Sequence, residues 1–310
     1  MRPPQMEVHF GERLTRRQRL GRAAAGGGPG LAWLLVFFGA PLLLLLATSF
    51  LTRGEFGTVE RPWTLENYRR LAGFGELGFD PVYPLLALRS VALALATTGL
   101  VLLAALPTAF FVASLPPRGR TLGLALITVP FWTSLLVRTY AWQILLSPGG
   151  WLAGAASALG WIEPGTGLYP SLGAVLACLA CDYLPFMVLP LYASVEKVDW
   201  TLAEAARDLG AGRWQVFRHA LLPQIRPGLV AGCLLVGLPA LGQFVVPDLL
   251  GGAKVSLLGN LLQQQFQTSL DWPFGSAIAV VSLALVAAGL AWRSRSRRRQ
   301  PGGPPVEDWP

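Results

Sequence analysis

Six apolar stretches, near residues 31–50, 88–115, 121–145, 171–195, 228–247 and 275–292, each reach or approach the ~20 residues needed to cross a bilayer as a helix. Backbone N–H and C=O groups find no partner in hydrocarbon, so a crossing segment of this length must pair them internally as an α-helix. The runs therefore predict an all-α polytopic membrane protein with six transmembrane helices. Composition points the same way: 53% hydrophobic and 14% charged residues in 310 leave too little polar surface for an ordinary soluble domain. Prolines inside several runs predict kinks.

The cations fix the orientation. Six Lys or Arg residues precede Leu31, two lie at Arg118 and Arg120, five fall between Pro190 and Gly228, and five follow Trp292. The opposite side holds four between Thr52 and Tyr83 and Lys254, while Arg89 and Arg138 fall within spans. Positive charge accumulates on the cytoplasmic side of membrane proteins, so both termini and the loop after the fourth run face the cytoplasm. The arginines before Leu31 could mark a signal peptide, but the following run is long and lacks a clear A-x-A site, so it reads as an uncleaved first helix. The net charge of +8 does not predict nucleic-acid binding, because the Arg clusters flank spans where anionic headgroups account for them.

These features divide the chain into a basic cytoplasmic arm over 1–30, a transmembrane domain over 31–292 and a basic cytoplasmic tail over 293–310. The outer loop from Thr52 to Tyr83 mixes acidic and aromatic side chains, which suits either a partner surface or an interfacial belt. Cys178 and Cys181 form a C-x-x-C in an apolar helix with no second ligand pair, and read as packing residues, as does Cys233. His9 and His219 are far apart in sequence and make no metal motif. The only lysines, Lys197 and Lys254, follow Glu196 and Ala253, so the Gly-Lys-Ser/Thr of a phosphate-binding loop is missing. The chain is not expected to be an enzyme or to hold a cofactor of its own.

The most distinctive segment is the cytoplasmic insertion at 201–228, which contains EAARDLGAGRWQVFRHALLPQIRPG from Glu204 to Gly228. Thr201 and Glu204 have capping-box spacing, which predicts a short helix from Thr201 to about Gly210. A further helical turn follows through Trp214 and Phe217, and Pro223, Pro227 and Gly228 close the insertion. Glu204, Ala205, Ala206, Gly210, Leu222 and Pro223 together resemble the EAA loop of ABC-importer permeases. That resemblance implies a coupling helix docked on a separate ATPase subunit, which would bind ATP and Mg. Ala205 and Ala206 would give a small docking face, Glu204 an anionic group near the helix start, Arg207 and Asp208 surface charges, and Gly210 a chain reversal. An unpartnered interfacial helix is the plainer alternative.

Further blocks narrow the likeness: TSFLTR at 48–53, TLENY at 64–68, VPFWTSLLVRTYAW at 129–142, LPFMVLPLYASVEKVD at 184–199, LVGLPALGQFVVPDLLGGAKVSLLGN at 235–260 and DWPFG at 271–275. They resemble the first of the two permease subunits of spermidine/putrescine importers. Permeases for ferric iron, sulfate, opines and phosphonates share the EAA loop and are alternative relatives. The resemblance implies a bacterial cytoplasmic (inner) membrane location. It also implies a second permease subunit, two cytoplasmic ATPase subunits and a periplasmic or surface-tethered polyamine-binding protein as partners.

A polycation path needs carboxylates and aromatic faces. Asp182, inside the fourth run beside Tyr183, is the foremost candidate, with Trp132, Tyr140, Gln243 and Asp248 as further ones. An ion pair of Asp182 with Arg138 or Arg89 is the competing expectation. Asp271 and Trp272 would lie in an outer loop, either at a partner surface or as an interfacial anchor. A secondary transporter driven by an ion gradient would need inverted halves with discontinuous helices, and no internal repeat is evident. A membrane scaffold that transports nothing is a third possibility.

Overall fold

The computed structural model describes residues 28–75, 78–252 and 255–298. Almost all of the basic arm and the end of the basic tail lie outside these residues. Among the described residues, five helices are long and apolar enough to cross a membrane: α1 (Gly28–Thr48), α3 (Val82–Ser114), α7 (Leu172–Val195), α9 (Arg213–Leu241) and the Trp272–Gly289 part of α12 (Trp272–Arg298). A bent pair, counted as one span, makes a sixth crossing: α4 (Pro117–Trp132) turns by 93° into α5 (Leu135–Leu146), which is followed by α6 (Trp151–Ala158).

The core lies where α3, α7 and α9 meet. Buried positions on α3 recur every three or four residues, at Leu86, Ser90, Leu93, Thr97, Val101, Ala105, Ala109 and Val112, so one helical stripe faces the other two helices. Val175, Leu179, Met187, Leu191, Ile225 and Val236 fill the facing surfaces. Between helices in lipid, close approach comes from small residues. Gly228 on α9 illustrates this, because a Cβ there would sit on the Pro190 carbonyl and the Ser194 side chain of α7. By contrast, α1 buries none of its apolar residues, and Leu31, Trp33, Phe37, Phe38 and Leu43 are exposed. For a span, that exposure is contact with lipid or another subunit rather than water.

The outer loop folds into two short antiparallel hairpins, β1 (Thr52–Arg53) with β2 (Val59–Glu60) and β3 (Phe74–Gly75) with β4 (Gly78–Phe79), flanking α2 (Glu66–Leu71). It is fastened to the start of α12. Arg70 Nη1 pairs with Asp271 Oδ2 at 3.1 Å, and the guanidinium lies 4.2 Å over the Phe274 ring. Asp271 Oδ1 in turn accepts from the Phe274 backbone N–H at 3.2 Å. Asp271 is therefore a buried anchor within the chain, while Trp272 beside it is half-exposed.

Two expectations about the spans need correcting. The third apolar run does not form one helix over 121–145: Val129–Trp132 tightens into a 3₁₀ turn at Pro130, and Thr133 and Ser134 are extended. The fifth does not run from 228 to 247. Its helix begins at Arg213, passes through a π turn at Phe217–Leu221 and ends at Leu241. Pro223 falls in the first turn after the π segment, where it displaces no helical N–H, and Pro227 and Pro239 are carried inside the helix, as membrane helices tolerate. After Gly242 the chain turns into α10 (Val245–Gly251) and α11 (Leu258–Gln267), which return it to α12.

Candidate functional site

α8 (Trp200–Asp208) carries the first half of the distinctive loop. Its cap is not the expected Thr201–Glu204 box. Asp199 lies at the N-cap, where Oδ1 accepts from the Thr201 backbone N–H at 3.0 Å and from its hydroxyl at 2.7 Å. A carboxylate reaching these donors leaves Thr201 inside the first turn. The same hydrogen bonds hold the Asp199 carboxyl below its ordinary value. The cap is thus complete above the unfolded carboxylate range and is lost only as pH falls through that lowered value.

The other end of α8 turns on Gly210, whose φ of +83° suits a residue without a Cβ. Gly210 N–H donates to Arg207 O at 2.8 Å and Ala211 N–H to Ala206 O at 3.0 Å, the paired bonds of a left-handed C-terminal cap. Between the ends, Ala203 is buried, Ala206 half-buried, and Glu204, Ala205, Arg207 and Asp208 are exposed. Leu202 and Leu209 are exposed too, at the rim of an open concavity of about 620 Å³ floored by Ala205, Ala206, Ala220 and Pro223. An open apolar hollow is unusual for a solvated surface and suits a protein contact.

One polar residue that sequence reasoning missed ties this loop to a span. Gln224 Oε1 accepts from Asp199 N–H at 2.8 Å, while Nε2 donates to Ala220 O at 2.8 Å. The start of α8 is thereby pinned to the base of α9. Nearby, Glu196 accepts from the Tyr192 hydroxyl at 3.1 Å and pairs with Arg120 at 3.6 Å, joining the end of α7 to α4.

Midway along α7, Asp182 is buried and meets Arg138 of α5, with Nε 3.2 Å from Oδ1. Arg138 Nη1 also donates to Pro130 O at 3.0 Å, and its guanidinium carbon lies 5.5 Å from the Phe131 ring centre. That carbonyl belongs to the break in the third apolar run, where it also accepts from Thr133 N–H at 3.3 Å and from the Thr133 hydroxyl at 2.8 Å. Of the two expected partners for Asp182, the pair forms with Arg138; Arg89 is exposed elsewhere on α3. Tyr183 is brought to Gln243, whose amide donates to the phenol oxygen at 3.4 Å. The remaining candidates do not join this cluster by any direct bond: Trp132 and Tyr140 are exposed, and Asp248 is exposed in the first turn of α10. Cys178 contacts Asp182 at 3.8 Å from the same helix, and Cys181 is exposed.

A protein-family profile described as the inner-membrane component of binding-protein-dependent transport systems matches residues 105–300, a range that includes α8 and its concavity. The chain belongs to that family. The permease is also similar over most of its length to named relatives. It is 43% identical to the spermidine/putrescine transport system permease PotB of Escherichia coli, covering 85% of this chain and 94% of that protein. It is 42% identical to PotB of Haemophilus influenzae over 83% of this chain, and 31% identical to the inner-membrane ABC transporter permease YdcU of Escherichia coli over 86%. Among solved structures, a chain of a bacterial ABC transporter that imports alginate superposes with a TM-score of 0.64 at 17% identity, over 92% of this chain and all of that one. A second structure, the alginate transporter bound to its loaded periplasmic protein, gives 0.60 at 20% identity. At these identities the structural likeness establishes the all-α fold alone; that the chain is an inner-membrane permease rests on the family profile and the PotB relatives.

Proposed function

We propose that this permease is the first of two membrane subunits of an ATP-driven importer of spermidine and putrescine. The observation that carries the reading is the 42–43% identity, over more than four-fifths of the chain, to permeases named for those two substrates. The second permease, two cytoplasmic ATPase subunits holding ATP and Mg, and a polyamine-binding protein complete the machine. In this chain, α8 docks on an ATPase: Ala205 and Ala206 meet its surface, Glu204, Arg207 and Asp208 provide charges, and Gly210 turns the chain. The concavity at Leu202 and Leu209 supports that role because it is apolar, open and pinned through Gln224 to a span.

The path runs past the broken crossing, where Asp182 offers a carboxylate and Trp132 and Tyr140 offer aromatic faces, with Tyr183 and Gln243 adjoining and Asp248 nearer the outer side. The test is uptake of labelled spermidine and putrescine by cells expressing the four components, competed by unlabelled polyamines, an opine and a phosphonate. Competition by polyamines alone supports the reading, and competition only by another solute overturns it.

A further inference from the structure

Arg138 occupies a site built for a cation of any kind. Three different groups hold its guanidinium: the Asp182 carboxylate at 3.2 Å, the Pro130 carbonyl at 3.0 Å and the Phe131 ring at 5.5 Å. An anion, a carbonyl oxygen and an aromatic face are also what an alkylammonium group requires, although the Pro130 carbonyl is shared with Thr133, whose N–H and hydroxyl donate to it at 3.3 and 2.8 Å. Nothing in the set is peculiar to arginine. The fit is loose as well, because Nε lies at ion-pair distance from Asp182 but makes no aligned hydrogen bond. The two-bond geometry that makes arginine–carboxylate pairs tight is not used. The site is midway along a span, and Arg138 keeps a 19% exposed side chain near the break, where Trp132 is 88% exposed.

We propose that Arg138 is a tethered stand-in for the substrate. An ammonium group of a passing polyamine takes its place against Asp182, the Pro130 carbonyl and Phe131, while the guanidinium moves to the exposed side of the break. When the substrate leaves, Arg138 returns. The carboxylate is never left alone at membrane depth, and a neutral solute of the same shape cannot perform the exchange. This inference rests on the polyamine reading above.

The experiment uses the whole complex in proteoliposomes with its spermidine-loaded binding protein, and reads spermidine moved per ATP hydrolysed alongside the yield of assembled complex. The double variant Asp182→Asn with Arg138→Gln strands no charge. If the pair only fastens α5 to α7, the double variant transports at the wild-type ratio, and that result overturns the proposal. The exchange predicts instead an assembled complex whose ratio falls at least tenfold, with Asp182→Glu retaining at least a third of it. Should the double variant not assemble, Arg138→Lys decides: a weaker competitor raises the ratio under exchange, whereas an unchanged or lower ratio overturns it. A wild-type complex that moves no spermidine removes the polyamine reading and this inference with it. Wild-type uptake with an unaffected double variant removes the inference alone.

Discussion

Single side chains in this permease hold together parts far apart in sequence, and Arg70 is the clearest case. Its guanidinium covers Phe274 and satisfies Asp271, whose side chain is only 4% exposed. Arg70→Met keeps the apolar stem but leaves that carboxylate without its cation. The expected loss is about 1–3 kcal/mol, the cost of an unpaired buried polar group moderated by the remaining bond from Phe274 N–H. Thermal unfolding of the purified complex would show it as a lowered midpoint, with the conservative Arg70→Lys closer to wild type. Sequence alone placed Asp271 in an outer loop, at a partner surface or as an interfacial anchor, and did not foresee the pair within the chain, because Arg70 lies 201 residues away. Asp182 was more legible. An ionisable residue inside an apolar run demands a counter-charge, and only two in-span cations were available.

At the scale of elements, hydropathy located the spans because their length is imposed by the bilayer and not by tertiary contacts. The break in the third crossing was hidden for the opposite reason. Residues 121–145 read as one apolar run, and one proline does not end a membrane helix. At the break Pro130 O accepts from Thr133 and from Arg138, contacts that hydropathy does not encode. The same limitation concealed Gln224, a neutral side chain in a proline-rich stretch that looked like a terminator. Its bond to Asp199 joins α8 to α9, and in the proposed coupling role the two move as one lever. Replacing it by Leu should lower solute moved per ATP several-fold while the complex still assembles; parallel loss of assembly and uptake would instead indicate a purely structural strut. Close packing of α7 on α9 sets a second condition for that lever. Gly228→Ala would push a methyl into the Pro190 carbonyl and cost roughly 1–3 kcal/mol by overpacking, read as reduced thermal stability of the complex.

Across the whole molecule, the apolar surfaces divide by what covers them. α3, α7 and α9 bury one stripe each on one another, whereas none of the apolar residues of α1 is fully buried, and α8 borders an open apolar hollow. A subunit built this way is incomplete without neighbours, in keeping with the family to which it belongs. In the proposed function the energy for transport enters through α8, whose end turns on the positive φ of Gly210. Any Cβ there carries a backbone cost of roughly 1–2 kcal/mol even though it would meet open space. The most direct measurement is therefore ATP-dependent uptake of labelled spermidine by the reconstituted complex, with ATP hydrolysis followed in parallel, for the wild type and for Gly210→Glu. The account predicts uptake by the wild type that requires the loaded binding protein, and a variant that hydrolyses ATP while its uptake falls at least fivefold. Uptake equal to wild type in the variant, or none in the wild type itself, would contradict it.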